Sequence, residues 1–303
     1  MEIPNNYART DLACEFPRRK SGLPQGDGTG MNYSEYTENG IEITVLTVEG
    51  GEGESASGRR AGKYINIMCG KIWLWDDAKT ELISSVIASH IRKTATELTN
   101  KTVSPDFRVL VAGLGNCAIT ADAVGPCTVD KMTVTRHVKS SNRLIYDSIG
   151  CCDISAVKPG VLGQTGLESS ELIKGAVDFV KPDVIIAVDA LAARSCDRLA
   201  STVQLSDNGI HPGSGIGNRR SAITLETVGV PVIALGVPTV VDSSALVYDA
   251  LERAGIGEGD ISPPLAQVLE NGKSFFVSLK ESDIILTEIS SLLSRSIETA
   301  FTM

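Results

Sequence analysis

The pattern of apolar and polar positions along the chain predicts strands that alternate with helices. Residues Ile41–Val48 partly alternate between apolar and polar side chains, as a half-buried strand does. Three short apolar runs, at residues 108–112, 183–188 and 232–237, are typical of strands buried on both faces. We therefore expect an α/β fold with three layers, in which helices cover both faces of a mainly parallel central sheet.

Four segments have helical character. Apolar residues recur at helical spacing between residues 80 and 99, which predicts a helix with His90 packed on or beside its apolar face. Residues 168–180 and 243–254 also have helical patterns. The sequence Ser278-Leu-Lys-Glu281 has the form of a capping box, so we expect the C-terminal helix to open there.

Glycine and polar residues indicate where regular structure should be scarce. Residues 1–40 are polar and turn-rich, and residues 49–62 are a glycine-rich loop. Strand character resumes at residues 64–75, with Trp73 and Trp75 packing on one face. No linker divides the chain, so we expect a single α/β domain with insertions.

Composition and charge exclude several classes of protein. The chain has 303 residues, 42% of them hydrophobic, which is enough to bury a large core. A net charge of -9 argues against direct nucleic-acid binding. Seven cysteines without a CxxC pair indicate a reducing compartment. Because neither a signal peptide nor an apolar run of roughly 20 residues is present, we expect a cytoplasmic protein without membrane contact.

Candidate chemistry lies just after the apolar runs, since ligands of open parallel sheets bind beyond the carboxyl ends of the strands. Gly113, Gly115 and Asn116 follow the first run and lead to Asp122, and Asp189 follows the second run at the expected end of its strand. Two neighbouring carboxyl groups do not both ionise easily, so one stays protonated while the other activates water. This arrangement supplies both an acid and a base.

A third loop, at residues 211–220, is rich in glycine and carries two arginines. Its backbone N–H groups and guanidinium groups are suited to binding a substrate or a developing anion. The candidate residues of this substrate-binding loop are His211, Ser214, Gly215, Asn218, Arg219 and Arg220.

Position alone leaves other interpretations open. Asp122 could cap the following helix, and Asp189 could form a turn. The sequence Gly113-x-Gly115-x-x-Ala118 loosely fits a dinucleotide fingerprint, but no acidic residue follows at the spacing that a ribose needs. Cys117 could be a nucleophile with His211 as its base. The chain has three histidines and no spacing typical of a metal site, so we expect no cofactor.

Several long motifs occur in a fixed order. They are Gly113-Leu-Gly-Asn116, Thr120-Ala-Asp122-Ala-Val-Gly-Pro126, Thr135-Arg-His137, Pro159-Gly-Val-Leu-Gly-Gln-Thr-Gly166, Asp189-Ala-Leu-Ala-Ala-Arg194, Ile210-His-Pro-Gly-Ser-Gly-Ile-Gly-Asn-Arg-Arg220 and Val237-Pro-Thr-Val-Val-Asp242. In these motifs the chain resembles the spore germination proteases. The resemblance implies a fold like that of the hydrogenase-maturation peptidases. It also implies an atypical aspartic endopeptidase that uses Asp122 and Asp189 to cleave small acid-soluble spore proteins.

The resemblance also gives a meaning to the N-terminal segment. It implies self-processing between Asp11 and Leu12, so that residues 1–11 are a propeptide of a zymogen and residues 12–303 the peptidase domain. It further implies a homotetramer in the forespore or spore core. Two alternatives stay open: a metal-assisted peptidase with His211, and a non-catalytic α/β module that binds a small ligand.

Overall fold

The computed structural model describes residues 10–15, 30–213, 220–257, 260–271 and 275–303. Within these residues one nine-stranded sheet forms the centre of the fold. Its strands are β1 (Met31–Glu38), β2 (Ile41–Val48), β3 (Gly62–Met68), β4 (Arg108–Gly113), β5 (Asp153–Val157), β6 (Val184–Ala193), β7 (Thr202–Ser206), β8 (Val232–Asp242) and β9 (Phe276–Val277).

The helices pack around this sheet. They are α1 (Glu52–Ser57), α2 (Asp77–Thr99), α3 (Val124–Asp130), α4 (Arg136–Ser141), α5 (Arg143–Ile149), α6 (Leu162–Thr165), α7 (Ser169–Val180), α8 (Leu225–Val228), α9 (Ser243–Arg253), α10 (Pro263–Asn271) and α11 (Ser282–Ala300). Helices α2, α7 and α9 confirm the predicted helices to within a few residues. Of the helices described, none combines the length and apolar character needed to cross a membrane.

The sheet has a parallel half and an antiparallel half. Its strand order is β1-β2-β3-β7-β8-β6-β4-β5, with β9 paired to β8. Strands β5, β4, β6 and β8 are parallel and form the parallel half. Strands β7, β3, β2 and β1 continue the sheet with antiparallel pairing and form the antiparallel half. The expected α/β class is confirmed, and the antiparallel extension is the feature that the apolar runs did not predict.

Helices cover both faces of the sheet, as a three-layer architecture requires. Because side chains alternate along a strand, Val109 and Val111 of β4 face one layer and Leu110 faces the other. The first layer is α2 and α11, which share the main core with Val109 and Val111. The second layer includes α7, whose Ile173 packs with Leu110. Both faces of the parallel half are therefore buried.

Four local predictions are wrong. Residues 1–40 contain the regular strand β1, which pairs along its full length with β2, and residues 49–62 contain α1. Strand β3 ends at Met68, and Trp73 lies in a short 3₁₀ helix instead. Helix α11 begins at Ser282, because the Ser278 hydroxyl donates to the carbonyl of Thr239 at 2.8 Å and does not cap a helix.

Two packing predictions are confirmed. Trp73 and Trp75 are partly buried against the main core. His90 of α2 is buried, and its Nε2 lies 3.2 Å from a carboxylate oxygen of Glu38 at the end of β1. This histidine therefore belongs to the packing between α2 and the edge of the sheet.

Candidate active site

Asp189 lies inside a strand, which corrects the expectation that it follows one. Pairing between β6 and β4 ends at Val188 and Gly113, whereas pairing between β6 and β8 continues to Ala193. Strand β6 continues past Asp189 because β8 still supplies hydrogen-bond partners on its other side. Asp189 is thus the first residue of β6 beyond the end of β4. This is the crevice at the carboxyl end of a parallel strand where ligands are expected.

The glycines after β4 bring Asp122 to the same place. Gly115 has a φ of +108°, and a Cβ there would come within 2.0 Å of the carbonyl oxygen of Asp122. Only glycine allows this approach. The backbone N–H of Asn116 donates to Oδ2 of Asp122 at 2.8 Å, which fixes the carboxylate. A Cβ at Gly113 would lie 2.4 Å from the carbonyl oxygen of Gly125, so Gly113 lets α3 pack against β4.

The alternative interpretations of the two aspartates, a helix cap at Asp122 and a turn at Asp189, are wrong. Helix α3 begins after Ala123, and the Asp122 carboxylate accepts the N–H of Asn116 without capping that helix. Asp189 has extended backbone within β6 and forms no turn. The local backbone contacts that remain are the N–H of Asn116 on Oδ2 of Asp122 and the N–H of Ala190, at 2.9 Å, on Oδ1 of Asp189.

The charge of Asp122 acts on the carboxyl group of Asp189. Asp189 is only 5% exposed, and its burial, followed by the charge of Asp122, raises its pKa well above the usual value of 3.8. Burial also raises the pKa of Asp122, against the N–H of Asn116, which lowers it. Both shifts favour the protonated form of the carboxyl group, and the shift of Asp189 is the larger.

A cavity of about 480 Å³ opens beside Asp189. His211 and Arg220 of the predicted substrate-binding loop line it, while Ser214, Gly215, Asn218 and Arg219 lie outside the described residues. Gly113, Gly115, Asn116 and Asp122 are not among the described residues that line it. The wall also includes Arg59, Arg60, Tyr64, Gln204, Ser206 and Asn208, which sequence reasoning missed. For Arg59 and Arg60, the sequence signal was two adjacent arginines in the glycine-rich loop at residues 49–62.

His211 is exposed at this cavity. Partial desolvation of its ring by the cavity wall, followed by the charge of Arg60, nevertheless lowers its pKa, so the neutral imidazole is favoured at pH 7. Among the described residues, no group of three or more His, Cys, Asp or Glu side chains is arranged to hold a metal ion.

The N-terminal segment 10–15 is bound at the cavity. The N–H of Asp11 donates to the carbonyl of Ala192 at 2.9 Å, and the N–H of Ala192 donates to Oδ2 of Asp11 at 2.9 Å. Asp11 therefore lines the cavity together with Asp189, and its charge contributes to the raised pKa of Asp189. The expected processing site is next to the aspartate pair.

Segment 10–15 is also anchored on the side that follows Asp11. Leu12 is fully buried in a cluster with Leu191, Ala193 and Leu199. Farther along, the Glu15 carboxylate accepts the backbone N–H groups of Arg194 at 2.7 Å and Ser195 at 2.9 Å. This part of the predicted arm therefore belongs to the core.

Two side chains bind the backbone of segment 10–15. Arg59 donates to the carbonyl oxygens of Asp11 at 2.9 Å, Leu12 at 2.8 Å and Thr10 at 3.2 Å. Gln204 donates from Nε2 to the carbonyl oxygen of Asp11 at 3.0 Å and accepts the N–H of Ala13 at 2.6 Å. These contacts are independent of the side chains of the bound segment.

Comparison with known proteins shows the family of this chain. A family model for germination protease matches residues 11–254. The germination protease of Caldanaerobacter subterraneus subsp. tengcongensis is 38% identical over 96% of this chain and 93% of its own length. That of Priestia megaterium is 39% identical over 91% of this chain and 75% of its own. The germination protease of Bacillus subtilis is 39% identical over 83% of this chain and 68% of its own length. The chain therefore belongs to the germination protease family, a family of peptidases.

Proposed function

We propose that this protein is an endopeptidase that initiates the degradation of small acid-soluble spore proteins during spore germination, with Asp122 and Asp189 as its catalytic pair. The single observation that carries the proposal is the buried carboxyl group of Asp189, which is affected by the charge of Asp122 and lines a cavity together with Asp11 of the bound N-terminal segment. The substrate class follows from the resemblance to the spore germination proteases. Proteolysis in the forespore or spore core fits the absence of any disulfide framework in the sequence.

In the proposed reaction, Asp122 is the base and Asp189 the acid. Ionised Asp122 takes a proton from a water molecule, whose oxygen forms a bond with the carbon of the scissile carbonyl. Protonated Asp189 donates its proton as the carbon–nitrogen bond breaks and the amine leaves. Asp122 then releases its proton to solvent and Asp189 takes one up, which returns the pair to its starting state. The raised pKa of Asp189 and the contact of Asp122 with Asn116 support this assignment of roles.

We further propose that the full-length chain is a zymogen that cleaves its own bond between Asp11 and Leu12, releasing propeptide 1–11. The location of Asp11 in the cavity beside Asp189 supports this step. Because Asp11 lines the cavity and segment 10–15 already occupies the donors of Arg59 and Gln204, we expect an intact chain to exclude other substrates. The homotetramer implied by the resemblance is a separate proposal, which sedimentation equilibrium tests.

The experiment is incubation of the full-length protein, and of a chain beginning at Leu12, with a small acid-soluble spore protein. Mass spectrometry identifies the fragments. We expect a single cleavage site that is lost in Asp122→Asn and Asp189→Asn, whereas the exposed Asp147→Asn serves as the matched control and keeps full activity. Cleavage that survives in both catalytic-pair variants contradicts the proposed chemistry. Loss of cleavage on chelation together with loss in His211→Ala supports the metal-assisted alternative, and a folded protein inactive in every form supports the ligand-binding module.

A further inference from the structure

The carbonyl oxygen of Asp11 accepts hydrogen bonds from two side chains at once. Nη1 of Arg59 lies 2.9 Å from it, and Nε2 of Gln204 lies 3.0 Å from it. This oxygen belongs to the peptide bond between Asp11 and Leu12. When water adds to a peptide carbonyl, that oxygen takes up the electron pair of the double bond and becomes an anion. Two N–H donors already aimed at it are positioned to stabilise that charge.

The orientation of the Gln204 amide follows from its two contacts. The backbone N–H of Ala13 requires an acceptor, so the amide oxygen must face Ala13 and the NH₂ group must face the carbonyl of Asp11. Gln204 is central in β7, paired with Asn66 of β3 and Gly236 of β8. Pairing on both sides fixes its backbone, and its side chain is 8% exposed. A rigid, buried donor needs little reorganisation as charge develops.

Arg59 is fixed in a different way. Its guanidinium group spans three successive carbonyl oxygens of the segment and lies over the ring of Tyr64, 5.7 Å from the ring centre. A planar fork of five donors suits this geometry, and its positive charge favours a negative oxygen. Burial lowers the pKa of Arg59, but the group stays charged at any pH of interest.

We propose that Arg59 and Gln204 stabilise the oxyanion that forms on the Asp11 carbonyl, an inference that rests on the proposed cleavage between Asp11 and Leu12. The oxygen of water bonds to the carbonyl carbon, the carbonyl oxygen accepts the electron pair under the two donors, and the pair returns as the bond to the Leu12 nitrogen breaks. That nitrogen leaves with the proton supplied by Asp189. Because both residues contact only the main chain, they serve any substrate strand bound in the same register.

The experiment follows self-cleavage of the full-length chain by intact mass, which reads a first-order rate without a binding step. Gln204→Glu keeps an oxygen for the N–H of Ala13 and removes the donor to the Asp11 carbonyl. We expect the rate to fall on the order of 10²-fold, as for the loss of one oxyanion donor. The self-cleavage rate of Gln204→Met, a substitution that adds no charge, should fall by at least the same factor. Arg59→Lys keeps the charge but does not span three carbonyls, and we expect roughly a 10-fold decrease.

Matched controls are Gln267→Glu and Arg143→Lys, at exposed positions that are not among the residues lining the cavity, which should cleave at the wild-type rate. Cys14 provides a second measurement, because its thiol is buried only while segment 10–15 is bound. Maleimide labelling, mapped by mass spectrometry, should leave Cys14 of Gln204→Glu as protected as in the wild type. Labelling of Cys14 that rises as cleavage falls would overturn the inference, since Gln204 would then act by binding the segment.

The remaining outcomes separate the inference from the function on which it rests. Wild-type cleavage with equally fast cleavage by the Arg59 and Gln204 variants overturns the inference and leaves the peptidase intact. A wild-type chain that never cleaves the Asp11–Leu12 bond overturns both. Cleavage that is slowed in the Arg59 and Gln204 variants with Cys14 protected, and absent in Asp189→Asn, supports both.

Discussion

The parallel and antiparallel halves of the sheet contribute different groups to the cavity beside Asp189. The parallel half supplies the lining residue Asp189 from β6, and Asp122, whose charge acts on Asp189, lies in the loop after β4. The antiparallel half supplies Gln204 from β7, and Arg59 precedes its strand β3. The first two are titratable and coupled to each other, whereas the other two bind main-chain carbonyl groups. One half of the sheet is thus suited to proton transfer and the other to binding an extended peptide.

The largest effect is expected at Asp189, where the comparison assigns proton transfer. Asp189→Asn has nearly the same shape but no proton to transfer, so we expect peptide cleavage to fall at least about 10³-fold. Rates of cleavage of a spore-protein substrate, measured beside Asp147→Asn, test this. Retention of more than a tenth of the wild-type rate would assign the chemistry to groups other than the pair.

The same variant should be no less stable than the wild type. The folded-state pKa of Asp189 is raised above 3.8, so the wild type loses stability as the pH rises from that value towards the folded-state pKa. Asparagine carries no charge and avoids this loss. In thermal unfolding, the stability of Asp189→Asn relative to the wild type should therefore increase between pH 4 and pH 8. A variant that unfolds at a lower temperature than the wild type across this range would contradict the raised pKa.

The activity itself should depend on pH in a bell shape. Cleavage requires ionised Asp122 and protonated Asp189, and burial raises the pKa of both groups. We therefore expect activity to increase with pH on an acidic limb above pH 3.8, where Asp122 ionises. Activity should decrease again on an alkaline limb, where Asp189 loses its proton. The two limbs belong to the coupled pair. First-order rates of self-cleavage between pH 4 and pH 10 measure them, and a rate that only increases with pH would exclude a protonated acid.

Gly115 tests how closely the parallel half positions its base. Gly115→Ala places a methyl group against the carbonyl of Asp122 at a φ of +108°, and we expect a loss of about 2 to 3 kcal/mol in the free energy of unfolding. Because Asp122 must shift, activity should fall roughly 10²-fold. Gly175→Ala, in open space on α7, is the control and should gain about 0.5 to 1 kcal/mol. If urea unfolding gave the same stability for Gly115→Ala as for the wild type, the loop would have adapted to the added methyl group.

Leu12 tests the peptide-binding side. Leu12→Ala removes a fully buried side chain from its cluster with Leu191 and Leu199, and we expect segment 10–15 to lose about 2 kcal/mol of binding free energy. Labelling of Cys14, whose pKa burial raises to about 11, should then accelerate roughly 30-fold. The matched control is Leu144→Ala, at a position 83% exposed, which should leave the labelling rate unchanged. Unchanged labelling in Leu12→Ala would show that Arg59 and Gln204 hold the segment without it.

The same division explains what the sequence could predict. Three of the four parallel strands, β4, β6 and β8, contain continuous apolar runs, and glycines mark the approach of Asp122 to the end of β4, so both aspartates could be found. Strand β5 has no such run and was missed. Strand β1 has a mostly exposed burial pattern and carries charge, so it reads as a polar arm. Gln204 has no neighbouring motif, because its role depends on β7 lying between β3 and β8, a pairing of strands distant in sequence. Non-local pairing of this kind leaves no local pattern.

The smallest effect is expected at the outer edge of the antiparallel half, away from the cavity. Glu38→Gln replaces the carboxylate that lies 3.2 Å from Nε2 of His90 by a neutral amide, at a cost of about 0.5 kcal/mol because the pair is partly exposed. Burial lowers the folded-state pKa of His90 below 6.5, so its contribution to stability is present above pH 6.5 and is lost as the pH falls from there through the folded-state pKa. Loss of Glu38 removes an opposing charge that raises this pKa, and acid unfolding should shift slightly further to high pH. Cleavage should not change. A fall in cleavage would mean that the edge strand communicates with Gln204 through β2 and β3, and that binding and stability cannot be assigned to separate parts of the antiparallel half.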